Sequence, residues 1–173
     1  FGLSAEADIR ASEVEADVSG LRFVGPERTP VRVPVLGFHN VHNILAAIAV
    51  ARRLGMSMKE VAERLVDFEG PAMRMEVLEL GGVKVLNDSY NANPVSVRAA
   101  VEAFSLLEVR GARHVVLADM LELGPEAERL HYELGRELGA RGFDGLWLVG
   151  RLMARTAEGA RSTAGTRTRI RHA

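Results

Sequence analysis

From Val83 to Ala160 the chain alternates strand-like and helix-like stretches, and this rhythm limits its fold more than any single residue does. Val83–Leu86, Val115–Ala118 and Leu146–Val149 are short and largely apolar. Between and after them, helical periods run from Pro94 to about Leu107, from Pro125 to about Leu138 and from Leu152 to Ala160. Short apolar runs without polar alternation fit strands buried on both faces, and strands separated by helices join in parallel through crossovers. The expectation is an α/β domain with a mostly parallel sheet covered on both sides. In such sheets ligands gather at the carboxyl ends of the strands, so the loops after Leu86 and Ala118 form the predicted working edge. Pro94 and Pro125 each suit the first turn of a helix. Gly81-Gly82, between Met73–Leu80 and Val83–Leu86, predicts a tight hairpin.

The first seventy residues have another character. Val14, Ala16 and Val18 alternate with Glu13, Glu15 and Asp17, the period of a half-buried strand. Leu21–Val24 and Val31–Leu36 read as two more strands, with Pro30 and Pro34 confining the latter to an edge. Residues 39–54 form an apolar helix stopped by Gly55. Ser57 and Glu60 are spaced as a capping box for a second helix from Met58 to about Phe68. Gly70-Pro71 marks the predicted boundary, giving segments 1–70 and 71–173.

Composition excludes several classes of function. The chain has 173 residues, 47% of them hydrophobic, 26% charged and none cysteine. Disulfides and thiolate metal sites are therefore ruled out. A formal net charge of −1 favours neither nucleic acid nor a membrane surface. With no membrane-length apolar run and no basic-then-apolar leader, the expected compartment is the cytoplasm. Phe1-Gly2-Leu3 opens without an initiator methionine, the expected mark of a piece of a longer protein. Residues 161–173 carry Arg161, Arg167, Arg169 and Arg171 with few apolar residues. They read as a disordered or truncated tail, with phosphate contact as the alternative.

Three polar clusters interrupt the apolar pattern. Gly37–Asn43 (GFHNVHN) opens the first helix, and His39/His42 and Asn40/Asn43 are i,i+3 pairs on one face. Asparagine amides suit an adenine edge, but the same residues serve as polar caps, and a metal reading lacks a third ligand. Asn87–Pro94 (NDSYNANP) lies between a strand and a helix. Asx-turn chemistry explains such a loop, as does ligand contact by Asp88, Ser89, Tyr90, Asn91 and Asn93. Ala118–Gly124 (ADMLELG) contributes Asp119 and Glu122, with His131 in the following helix. These acids either orient an amine or a metal, or favour a helix start through its dipole. Arg74 is either a solvated edge residue or a phosphate ligand. Neither GxxxxGK[ST] nor GxGxxG occurs, so the chain has no complete phosphate cradle of its own.

In order along residues 1–160, GFHNVHN, PAMRMEV, NDSYNANP, ADMLELG with a downstream histidine, and LWLVG resemble the Mur ligases. NDSYNANP together with DMLELG is most similar to the members that add D-alanyl-D-alanine to UDP-N-acetylmuramoyl-tripeptide. The resemblance implies a Rossmann-like carboxy-terminal domain preceded by the end of a P-loop-type central ATPase domain. It also implies ATP and Mg2+, an acyl-phosphate route to an amide, and a monomer acting without nucleic acid or membrane. Asn40 and Asn43 would lie at adenine, Arg74 at phosphate and Asp88 at ribose, with the Tyr90–Asn93 loop facing the cleft for ATP and dipeptide. The P-loop lysine and magnesium ligands would precede Phe1, so residues 1–173 alone are expected to be inactive. Two departures from the family stand out: Ala118 replaces a usual glycine, and the family's final strand and helix are not visible in the tail. Competing readings are another Mur ligase, a folylpolyglutamate-synthase-like ligase, or a stand-alone non-catalytic module. A dinucleotide oxidoreductase has only the fold class in its favour.

Overall fold

The computed structural model describes residues 1–17, 19–163 and 168–173. The chain divides into two compact units, Phe1–Tyr90 with Ala99–Leu107, and Asn91–Arg98 with Glu108–Ala173.

In the first unit, β1 (Ser12–Asp17), β2 (Gly20–Val24) and β3 (Pro30–Val33) form an antiparallel sheet in that order. The alternation predicted for these strands is present; Val18, at the end of the first, lies outside the described residues. β3 is an edge strand and ends at Val33, short of the predicted Leu36, because Pro34 has no N–H to continue the ladder. Leu21, Phe23, Val31 and Val33 face inward and pack with Val41, Ile44, Leu45 and Ile48 of α1 (Asn40–Arg53) and Met58 and Val61 of α2 (Met58–Val66). α1 ends in a Schellman motif: Gly55, at φ +91°, donates to Arg52, and Met56 donates to Ala51.

The capping box at α2 is complete. Ser57 Oγ accepts the Glu60 N–H at 3.3 Å, and Glu60 Oε2 accepts the Ser57 N–H at 2.8 Å. Ser57→Ala is expected to cost about 1 kcal/mol, measurable as a lowered urea midpoint at unchanged m-value. The Ser57 hydroxyl, followed by its N–H, holds the Glu60 carboxyl below its ordinary value. That contribution is present above the ordinary carboxylate range and is lost as pH falls through the lowered pKa.

β4 (Glu76–Leu80) and β5 (Val83–Asn87) form the predicted hairpin, with Gly81 and Gly82 at φ +57° and +81° supplying the turn. β4 begins three residues later than expected, because Met73 and Met75 have left-handed backbone, at φ +60° and +53°. α3 (Pro94–Leu106) follows, with residues in each unit.

The second unit contains β6 (His114–Ala118), α4 (Ala127–Ala140), β7 (Gly145–Val149), α5 (Met153–Arg161) and β8 (Arg169–His172). The sheet is parallel, in the order β6-β7-β8. Both crossovers step in the same direction along it, and right-handed connections then place α4 and α5 on one face. Val115, Leu146 and Leu148 are buried on that face, whereas Val116, Trp147 and Val149 on the other are 69%, 39% and 51% exposed. The expectation of a sheet covered on both faces is corrected accordingly.

β8 corrects a second expectation. The tail read as disordered or truncated contains a strand, in register with β7 through Leu146↔Ile170. Its ladder is made by backbone groups, and Ile170 is the one strongly apolar residue in it, so no hydrophobic period announces it. Residues 164–167 of that tail lie outside the described residues.

α4 and α5 cross in close contact because glycines stand where they meet. A Cβ on Gly135 would collide with the Thr156 carbonyl, and one on Gly159 with the Tyr132 carbonyl. Gly135 and Gly139, which fit no nucleotide fingerprint, are packing residues. Among the described residues no helix is long and apolar enough to cross a membrane.

Candidate functional site

The start of α1 is built by its own polar residues. Asn40 Nδ2 donates to the Leu36 carbonyl at 2.7 Å, and Asn43 Nδ2 donates to Asn40 Oδ1 at 2.8 Å. This ladder fixes the orientation of both amides on an otherwise apolar helix. Gly37, at φ +89°, has the His39 ring folded against its Cα, which leaves no room for a Cβ. The Met75 methyl group lies 3.3 Å from where such a Cβ would sit.

Met75 is the link that the sequence did not reveal. It is buried, and its N–H donates to Asp88 Oδ1 at 3.0 Å. Arg74, its neighbour in the chain, stacks over Tyr90 with Cζ 4.0 Å from the ring centroid. Tyr90 N–H donates in turn to the Met73 carbonyl at 3.1 Å. One side of Met75 thus meets the turn that leads into Asn40, and the other carries Arg74 and Asp88. Arg74, Asp88 and Tyr90 are thus held together beside Met75 in the first unit. Left-handed backbone at a non-glycine residue costs of order 1–3 kcal/mol, and two such residues flank Arg74. Glu76, also unmarked by the sequence, accepts from Met73 N–H at 3.0 Å and from Asn87 Nδ2 at 3.2 Å.

Elsewhere the candidate side chains hold local structure. Ser89 Oγ donates to Asn87 Oδ1, and Asn91 Oδ1 accepts the Ala92 N–H. Asn93 caps α3: its Oδ1 accepts from Val95 and Ser96 N–H at 3.0 and 2.9 Å, and Ser96 Oγ accepts the Asn93 N–H. In the second unit Asp119 leaves the end of β6 and accepts the Met153 N–H at the start of α5 at 2.9 Å. The Gly150 Cα lies so close to that carboxylate that a Cβ there would collide with it. His131 is fully buried. Its Nε2 accepts the Met120 N–H at 3.1 Å, and Nδ1, 2.7 Å from the Ala127 carbonyl, donates to it. Both ring nitrogens are therefore engaged. Glu122 is exposed, at φ +60°. Asn93, Asp119 and His131 thus make capping and core contacts, and Arg74, Tyr90, Asn91, Asn93 and Glu122 are exposed.

Residues 73–173 match the family described as Mur ligase, glutamate ligase domain. The chain belongs to the Mur ligase family. It is 36% identical over 163 residues to the UDP-N-acetylmuramoyl-tripeptide–D-alanyl-D-alanine ligase of Bacillus subtilis strain 168, covering 92% of this Mur ligase chain and 35% of that protein. A crystal structure of MurF from Acinetobacter baumannii superposes with a TM-score of 0.87 at 30% identity, over 98% of this chain and 36% of that one. MurF from Thermotoga maritima, crystallised in complex with ADP, shares the fold at TM-score 0.74 and 23% identity, over 97% of this chain and 38% of that one. The chain spans about a third of the length of such relatives. Its α/β architecture, with a parallel sheet in the second unit, is that of the Mur ligase carboxy-terminal region.

Proposed function

We propose that this chain is the carboxy-terminal part of an ATP-dependent ligase that joins D-alanyl-D-alanine to UDP-N-acetylmuramoyl-tripeptide. The observation that supports the reading is the clamp that joins Arg74 and Asp88 at Met75, whose methyl group reaches the Gly37 turn leading into Asn40. Residues 1–70 would close the central ATPase domain and residues 71–173 would form the terminal one. Asn40 and Asn43 present oriented amides for adenine, Asp88 a carboxylate for ribose, and Arg74 a guanidinium for phosphate. Ser89, Tyr90, Asn91 and Glu122 stand on the loops assigned to the dipeptide cleft.

In the reaction the tripeptide carboxylate takes the γ-phosphoryl group of ATP, and ADP leaves. The dipeptide amine then attacks the acyl phosphate, and inorganic phosphate departs as the amide forms. Holding the reactants in line and neutralising charge on the phosphates are the main protein contributions to such a step. Magnesium, when bound, supplies further charge neutralisation. Among the described residues no group of three His, Asp or Glu side chains is placed to hold a metal ion. In this reading, which follows the resemblance to the Mur ligases, its ligands belong to the central-domain portion that relatives carry beyond the length matched here. The cytoplasm, where ATP is available, is the compartment this reading implies.

The test offers UDP-N-acetylmuramoyl-tripeptide and ATP to a full-length enzyme carrying this chain, with D-alanyl-D-alanine, L-alanine or glutamate as the amine. Amide formation and ADP release are expected with D-alanyl-D-alanine. A preference for a single amino acid would reassign the chain within the family. Residues 1–173 alone are expected to show no substrate-dependent ATP hydrolysis.

A further inference from the structure

Arg74 lies in a short turn whose shape is imposed by residues some fifteen positions later in the chain. Met73 and Met75, on either side of it, both have left-handed backbone. The loop after β5 grips the turn at two points: Tyr90 N–H donates to the Met73 carbonyl, and Asp88 Oδ1 accepts the Met75 N–H. Between these two bonds the Tyr90 ring lies against the Arg74 guanidinium, 4.0 Å from Cζ to centroid. Tyr90 is 61% exposed, so burial in a core does not account for the placement of its ring. Among the described residues no carboxylate pairs with Arg74.

An aromatic face attracts a guanidinium, and stacking engages the flat side of the cation while its N–H edge remains able to donate to an anion. A carboxylate partner would use up those donors, whereas a ring leaves them available. The long arginine side chain otherwise samples many rotamers, and these must be given up when an anion binds.

We propose that Tyr90 is a positioning residue for Arg74: its ring holds the guanidinium in one place with the N–H edge free to take a phosphate oxygen. The proposal rests on the reading of Arg74 as a phosphate ligand and adds the residue that keeps it in place. It gives Tyr90 a role that requires the ring and not the hydroxyl, and one that is exerted only through Arg74.

The experiment compares Tyr90→Leu, Tyr90→Phe, Arg74→Ala and the Arg74→Ala/Tyr90→Leu double variant in the full-length ligase, with KM for ATP, kcat and melting temperature measured for each. Tyr90→Leu is expected to raise KM for ATP about two- to fivefold, with a smaller change in kcat and an unchanged melting temperature. Tyr90→Phe, which keeps the ring, should recover most of that loss. The double variant should be no worse than Arg74→Ala, because a residue that acts through another adds nothing once that one is gone. The proposal is overturned if Tyr90→Phe is as impaired as Tyr90→Leu, if the two substitutions multiply, or if Tyr90→Leu leaves KM for ATP unchanged while Arg74→Ala raises it. If Arg74→Ala itself leaves KM for ATP unchanged, the phosphate-ligand reading fails first and takes this proposal with it.

Discussion

Valine in place of Gly135 is expected to destabilise the second unit by about 3–4 kcal/mol, the largest stability effect that the structure predicts. The new side chain would be driven into the Thr156 carbonyl on α5, and backbone in a packed helix cannot swing aside as a flexible side chain does. The two helices would have to part, loosening Leu134, Leu138, Met153 and Ala157, all at most 1% exposed. Thr156 Oγ1, which donates to the His131 carbonyl at 3.0 Å, would lose its partner as well. Gly159→Val should act the same way from the opposite helix, against Tyr132. Gly111→Ala is the control, since nothing lies within 4 Å of its added carbon, and a change within about 0.5 kcal/mol is expected there. Urea unfolding followed by circular dichroism separates the cases. Equal midpoints for Gly135→Val and Gly111→Ala would show that the helices do not cross as described.

The largest expected effect on activity comes from Arg74→Ala and Asp88→Ala in a full-length enzyme. Each should lower kcat/KM for ATP roughly ten- to a hundredfold, the usual consequence of losing a charge-assisted contact. The two residues differ in a way that a further substitution exposes. Asp88 also accepts the Met75 N–H, so Asp88→Ala removes a side chain that holds the Arg74 turn in shape. Asp88→Asn keeps an acceptor for that N–H and removes only the charge. The asparagine variant should therefore fall between wild type and the alanine variant. If Asp88→Asn matches Asp88→Ala, the charge matters and the clamp does not. If all these variants keep wild-type kcat/KM, the nucleotide assignment is abandoned.

Much of the fold was legible because period and punctuation coincided. The α1 and α2 signals, with Gly55 after one helix and Ser57 before the next, fell within a residue or two of the observed ends. The hairpin at Gly81-Gly82 was equally plain, since two adjacent glycines accept the positive φ that such a turn requires. β8 was hidden because a parallel strand is recruited by the backbone of its neighbour, and Arg169–His172 offers a single aliphatic anchor. The open face of the sheet was hidden too. Val116 and Val149 are as apolar as Val115 and Leu148, and only the direction of the crossovers decides which of them meets a helix.

The candidate site was legible as a set of polar loops, and much less so in the job of each residue. An asparagine that caps a helix and one that meets a ligand need the same side chain at the same kind of junction. The sequence therefore gave no means of separating Asn93, which caps α3, from Asn91. Asp119 and His131 carry charged and titratable groups after a strand, which marks chemistry and local bonding alike, and each bonds to backbone of its own unit. Met75 is silent in the sequence for the opposite reason. A methionine in an apolar stretch signals nothing, although its amide and methyl group join the two clusters.

The way the chain threads its two units bears on how the protein can be dissected. It passes from one to the other after Tyr90, after Arg98 and again after Leu107, so α3 belongs to both. A single protease nick at any one of these places cannot release both units whole. Cleavage after Tyr90 strips residues 99–107 from the first unit, and cleavage after Leu107 leaves residues 91–98 behind from the second.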